Sequence, residues 1–172
     1  MDLSIIDNFD TTMKEFIRLI ETTPDSLLNK QPDEETWSVA QIGDHIQKTL
    51  QTLALARDHA VPSNRLPDEK VAQMSAIFLN FNVKYKQEKG EATYPRLEPI
   101  DKAELISALR YIANEIVIFS KNNDLSLLIE NFEVPFIGKL TRYEWLQLQI
   151  DHTKRHIHQI QHVKRYLLQQ SA

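Results

Sequence analysis

Four long stretches of the chain place apolar residues every three or four positions, the spacing of an amphipathic helix. The first runs from about Leu3 to Glu21, with Ile5, Phe9, Met13, Phe16, Leu19 and Ile20 on one stripe, and Pro24 ends any continuation. The second opens at Ser38, a good N-cap, and extends to about His59 on the stripe Val39, Ile42, Ile46, Leu50 and Leu53. The third opens at Asp101, which has capping-box spacing to Glu104, and runs on Leu105, Leu109, Ile112, Ile116 and Phe119 to about Lys121. The fourth opens at the Thr141/Glu144 capping box and could reach Gln170, longer than the usual globular helix.

The connections are less regular. A short helical turn is expected at Asp25–Leu28 and a short helix over 71–81. The segment 61–99 contains Pro62, Pro67, Gly90, Pro95 and Pro99, and 84–93 reads as an exposed, mobile loop. Residues 130–139 are too interrupted for a helix and are expected to lie extended. No convincing strand pattern stands out, so the expectation is an all-α protein, a four-helix bundle filling one domain over 1–172.

Composition narrows the function classes. The chain has 172 residues, enough for a sizeable core, and only 3 glycines, which argues against β folds and Gly-rich phosphate loops. Its net charge of −4 speaks against nucleic acid as a partner. With 0 cysteines it has no disulfides, no thiolate ligands and no cysteine nucleophile. The start, Met1-Asp2-Leu3-Ser4, lacks a basic leader region, and no apolar run is long enough to span a membrane. A soluble, cytoplasmic protein is expected.

The histidines carry the chemistry. Four of the six lie in the fourth helical stretch, at His152, His156, His158 and His162. At about 100° per residue, His152 and His156 fall about 40° apart. They share a face with Trp145, Leu148, Val163 and Leu167, whereas His158 and His162 point away toward solvent. Two imidazoles at i, i+4 can bind one metal ion, which then needs a third ligand. His45, between Ile42 and Ile46 on an inward stripe, is the candidate. Three histidines leave a coordination position for water or substrate, the pattern of a catalytic site. The competing reading is three core histidines, each satisfied by a hydrogen bond. His59, near a helix end, reads as a surface residue.

Other residues suggest smaller roles. Arg155 could meet an anionic ligand or stand as a surface cation. Gln159, one turn from His156, could hydrogen-bond a ligand or sit at the core edge. Trp37 reads as a hydrophobic staple or pocket wall. Asp44 and Asp151 each precede an inward histidine and are expected to be exposed.

The run Glu35-Thr36-Trp37-Ser38-Val39-Ala40-Gln41-Ile42-Gly43-Asp44-His45-Ile46 resembles the Trp-Ser-x-x-x-Ile-x-x-His-Leu signature of the DinB superfamily, with Ile46 in place of Leu. The stretch from Val134 to Trp145, followed by Asp151-His152-Thr153-Lys154-Arg155-His156-Ile157-His158-Gln159-Ile160, is similar to that family's extended lead-in and His-x-x-x-His-x-x-Gln-Ile helix. The resemblance implies an up-down four-helix bundle, often a homodimer. It implies that His45, His152 and His156 hold a divalent metal such as zinc or nickel. It also implies a small-molecule substrate and, in some relatives, transfer of a low-molecular-weight thiol, for which Arg155 could help hold an anionic thiol. A metal-dependent hydrolase and a non-catalytic stress-related bundle are the alternatives.

Overall fold

The structure is a computed structural model that describes residues 3–85 and 87–170. Lys86, inside the stretch expected to be a loop, lies outside the described residues. In chain order the elements are α1 (Leu3–Glu21), α2 (Asp25–Leu28), α3 (Val39–Leu50), α4 (Leu53–Arg57), β1 (Ala60–Val61), α5 (Val71–Phe78), α6 (Lys102–Asn122), β2 (Leu128–Val134), β3 (Gly138–Thr141) and α7 (Arg142–Gln170).

Local chemistry sets the helix starts. Ser38 Oγ accepts from the Gln41 N–H at 3.2 Å, and the Ser38 N–H donates to Gln41 Oε1 at 3.0 Å. This closes a capping box at the head of α3. At α7 the reciprocal pair is Glu144 N–H to Thr141 Oγ1 at 3.1 Å and Thr141 N–H to Glu144 Oε2 at 2.9 Å. Asp101 caps α6 by accepting from the Glu104 N–H, but the Glu104 carboxylate turns to Arg96 instead of closing a box.

The second predicted helix divides. It breaks at Gln51–Thr52, so α3 stops at Leu50 and α4 continues for one turn. Thr49 Oγ1 donates to the Ile46 carbonyl and Thr52 Oγ1 to the Thr49 carbonyl, side-chain bonds that compete with the helical ladder. Trp145 Nε1 donates to Thr52 Oγ1 at 3.1 Å and ties the break to α7.

Helices α1, α3, α6 and α7 form the bundle. Helix α1 packs along α6 and α7, and α3 packs against the same two, so the first and second bundle helices lie on one diagonal and the third and fourth on the other. The bundle is therefore not the ring of sequential neighbours that an up-down arrangement builds. Phe9, Met13 and Phe16 of α1, Ile42 and Ile46 of α3, Leu105 of α6 and Trp145 of α7 are all buried in the shared core. Among the described residues no helix is long and apolar enough to cross a membrane.

The purely α expectation needs correction. Strands β1, β2 and β3 form an antiparallel sheet in that order, with Ala60 opposite Ile129, Leu128 opposite Thr141 and Val134 opposite Gly138. An irregularity between Leu128 and Glu133 breaks the alternation that would have revealed β2 in the sequence. The sheet packs against α4 and α7.

Gly43 marks the closest approach of α3 to its neighbours. A Cβ there would meet Leu105 Cδ2 at 2.8 Å and Ile20 Cδ1 at 3.1 Å, and both side chains are fully buried. Overpacking costs about 1–3 kcal/mol, while exchanging Gly for Ala in a helix returns about 1 kcal/mol. Gly43→Ala is expected to destabilise the protein by about 1 kcal/mol net, read as a lower urea midpoint at an unchanged slope.

Candidate metal centre

Helix α3 carries His45 inward because its neighbours on the stripe, Ile42 and Ile46, are wholly buried. Helix α7 lies alongside α3 and presents His152 and His156 one turn apart. The ligand atoms of the three histidines lie within 4.8 Å of one another. His45 Nε2 is 3.3 Å from His152 Nε2, and His156 Nε2 is 3.0 Å from the same atom. The rings meet edge to face, with centroids 4.6–5.1 Å apart.

Two of the tautomers follow from their partners. His45 Nδ1–H donates to the Thr93 carbonyl at 2.8 Å, and a carbonyl can only accept. His156 Nδ1–H donates to Gln159 Oε1 at 2.8 Å. Each ring therefore turns an Nε2 lone pair toward His152. A tetrahedral ion with Zn–N bonds of about 2.0–2.1 Å needs nitrogens about 3.3 Å apart. The two observed separations come close to that spacing. The donor set thus fits a borderline divalent cation, and the buttressing of Nδ1 by an oxygen is the usual support of a metal-binding imidazole.

Electrostatics favour the metal-competent, neutral form. Burial pushes the pKa of His45 down; burial and the neighbouring His156 and His45 push His152 well down. Burial and the neighbouring His45 push His156 down to about 3 from its ordinary 6.5. The unfolded chain takes up a proton below pH 6.5 that the folded His156 refuses until about pH 3. The His156 contribution to the stability of the metal-free protein is therefore nil above pH 7 and becomes a loss as pH drops through this window. At pH 5 the His156 contribution alone is a loss of about 2 kcal/mol. Urea unfolding with a chelator present, at pH 7 and pH 5, measures it; a midpoint insensitive to pH would contradict neutral burial.

Surrounding residues hold the cluster. Trp37 packs on the His45 ring, centroids 5.0 Å apart, and Tyr94 meets Trp37 edge-on. Trp37 is thus a wall of the site. Thr93 and Tyr94 belong to the segment after α5, which the sequence offered only as a loop. Asp44, expected to be exposed, is buried: it accepts from the Arg96 N–H at 2.9 Å, Arg96 Nε at 3.0 Å and Lys48 Nζ at 2.9 Å. Asp151 is buried too, accepting from Ser75 Oγ at 2.6 Å and Gln147 Nε2 at 2.8 Å, and burial raises its pKa. Both expectations failed because the 79–99 segment and α5 cover helix faces that would otherwise meet water.

Arg155 is engaged with the backbone that follows α5. It donates to the carbonyls of Phe78 at 3.1 Å, Asn80 at 3.0 Å and Val83, and its guanidinium lies 4.7 Å from the Tyr85 ring centroid. It clamps the turn after α5. Gln159 contacts the site through His156. His158 and His162 are exposed, with His158 stacked on Phe81. His59 is exposed beside Asp58.

A cavity of about 210 Å³ opens beside His152, between α3, α5, β2 and α7. Its walls include Phe78, Phe132, Leu148 and Gln149. Gln149 and Thr93 were not singled out in the sequence. A backbone carbonyl leaves no residue-type signal, and a lone Gln at i−3 to a histidine is common on helices.

A family model described as the DinB superfamily matches residues 8–160. Among solved structures, the chain is similar to YfiT from Bacillus subtilis, described as a probable metal-dependent hydrolase with an unusual four-helix bundle topology. The TM-score is 0.61 at 16% identity, over 95% of this chain and 86% of that one. No curated protein gives a significant match.

Proposed function

This chain belongs to the DinB superfamily, and on that premise we propose that it is a metal-dependent enzyme that joins a low-molecular-weight thiol to an electrophilic small molecule. The observation that carries this is the convergence of three neutral imidazoles, two with tautomers held by Thr93 and Gln159, beside an apolar cavity. His45, His152 and His156 would hold a divalent ion, zinc or nickel, by their Nε2 atoms. When bound, that ion supplies Lewis acidity at its remaining position, lowering the pKa of a nucleophile placed there.

A thiol suits this site better than water. Free thiols ionise near pKa 8.5, whereas bulk water lies at about 15.7, so a thiol needs far less help. Water attack gains from a carboxylate base, and among the described residues none hydrogen-bonds to the histidine cluster. Asp44 is held by Arg96 and Lys48, Asp151 by Ser75 and Gln147, and Glu144 by Arg65, with Nη1···Oε1 at 2.5 Å. The chain has 0 cysteines, so the thiol would arrive as a cosubstrate. In the transfer, a sulfur–carbon bond forms, the leaving group departs with the electrons of the bond that breaks, and the thiol proton goes to solvent. Trp37 and the walls of the cavity keep bulk water from the electrophile. Hydrolysis is the second reading, favoured by the description of YfiT.

The test is zinc- or nickel-loaded protein incubated with glutathione or cysteine and chlorodinitrobenzene, with mass spectrometry of the products. Metal-dependent thioether formation, absent in His152→Ala, is expected. Metal-dependent cleavage of nitrophenyl acetate without thiol, and no thioether, would replace this reading with a hydrolase.

A further inference from the structure

Helix α5 has only 8 residues, too few to hold its place alone, so its contacts decide where it sits. Met74 packs with Ile137, Leu140 and Leu148 in a small apolar cluster apart from the bundle core. Three polar side chains along one line of α7 complete the seat. At the head, the wholly buried Glu144 accepts from the Lys70 N–H at 2.8 Å. At the middle, the buried Asp151 accepts from Ser75 Oγ at 2.6 Å. At the tail, Arg155 donates to the carbonyls of Phe78, Asn80 and Val83 and lies over the Tyr85 ring. A cation there suits the carbonyls that a helix leaves unpaired at its C-terminus. The head and middle are held by buried groups, whereas Arg155 is half-buried, so the tail is the end that opens most readily.

The tail carries Phe78. Its ring meets His152 edge-on, with centroids 5.9 Å apart, and forms a wall of the cavity. Of the three histidines the cavity reaches His152, which is half-buried, whereas His45 and His156 are buried. Trp37 covers the His45 side. Traffic between the centre and solution therefore passes Phe78. We infer that Arg155 is a positioning residue of the metal centre: by holding the carbonyls of Phe78, Asn80 and Val83 it seats the Phe78 ring against His152 and sets how readily the centre exchanges with solution. Passage of an electrophile along the same route rests on the proposed thiol transfer, whereas the seating of Phe78 does not.

The test uses the full chain, with Arg155→Lys and Phe78→Ala beside wild type. Arg155→Lys keeps the charge that bears on His152 and His156 and loses the planar fork that reaches several carbonyls. Stopped-flow mixing of metal-free protein with zinc, and of zinc-loaded protein with a chromophoric chelator, gives the two exchange rates. In both variants zinc entry and release should quicken together by about tenfold, the effect of losing one charge-assisted hydrogen bond, at unchanged zinc affinity. The urea midpoint of Arg155→Lys should stay at the wild-type value. A merely structural Arg155 would lower that midpoint and quicken exchange only as far as the lost stability explains. That result, unchanged rates in Arg155→Lys, or weaker affinity at an unchanged entry rate overturns the inference. Diethyl pyrocarbonate modification of His152 in metal-free protein, located by peptide mass mapping, reads the same wall without zinc. If wild type takes up no zinc, the metal-dependent reading falls and this rate decides: faster modification in both variants sustains the inference, and equal rates overturn it.

Discussion

His152→Ala is expected to reduce bound zinc from about one per chain to less than about a tenth of that, with the fold retained. His152 Nε2 is the shared vertex of the cluster, 3.3 Å from His45 Nε2 and 3.0 Å from His156 Nε2. Without it two imidazoles remain, below the three protein ligands of a catalytic zinc site. The fold should tolerate the change. Ala is the best helix former, His152 borders an existing cavity, and its ring carries a strongly depressed pKa that reflects the cost of enclosing it. Elemental analysis gives the metal content, and thermal melts with and without chelator separate site from scaffold. In wild type, zinc should raise the melting temperature and chelator should reverse it; in the variant both effects should vanish. Gln159→Leu makes the graded comparison. It leaves all three ligands but removes the acceptor for His156 Nδ1–H, and should weaken zinc about 10- to 100-fold. Full zinc retention by His152→Ala would reduce the cluster to three core histidines.

Much of this centre could be read from periodicity. A helix of 3.6 residues per turn fixes which side chains share a face, so His152 and His156 had to point together once the stripe around Trp145 and Val163 was recognised. The Ser38 N-cap and the Thr141/Glu144 capping box are equally local, and the structure contains both, whereas at Asp101 the cap forms and the reciprocal Glu104 bond does not. What could not be read depends on long-range placement. Thr93 serves through its backbone carbonyl, which every residue type owns. Asp44 and Asp151 sit on helix faces that an isolated amphipathic pattern assigns to water, and only the covering segments make them buried. Strand β2 was hidden by its irregular register and by Pro135 beyond its end. The diagonal packing of α1 with α3 is a property of the connections, on which helical periodicity is silent.

Asp44→Ala is expected to lower the stability of the metal-free protein by about 3 kcal/mol and to weaken zinc binding although no ligand is touched. The carboxylate is buried, and burial alone would raise its pKa, but Lys48 Nζ, the Arg96 N–H and Arg96 Nε together hold it below the ordinary value. Lys48 Nζ also donates to the Tyr94 carbonyl at 2.7 Å, and Gln41 Nε2 to the Arg96 carbonyl at 3.4 Å. Asp44, directly and through Lys48, thus pins residues 94–96 together with Gln41, and the adjoining Thr93 carbonyl orients His45. Lys48 and Arg96 keep side-chain exposures of 29% and 37% and can regain water, which holds the cost near the lower end for a broken buried pair. Asp44→Asn should fall between wild type and Ala, because it keeps an acceptor oxygen and loses the charge. A carboxyl with a depressed folded pKa stabilises above its ordinary 3.8 and loses that contribution as pH falls through its folded value. The gap between wild type and Asp44→Ala, read as urea midpoints, should accordingly narrow in acid. If stability drops and zinc affinity does not, the 94–96 anchor holds the fold without orienting His45. If both drop together, and Asn recovers part of each, the covering segment is a working part of the metal centre.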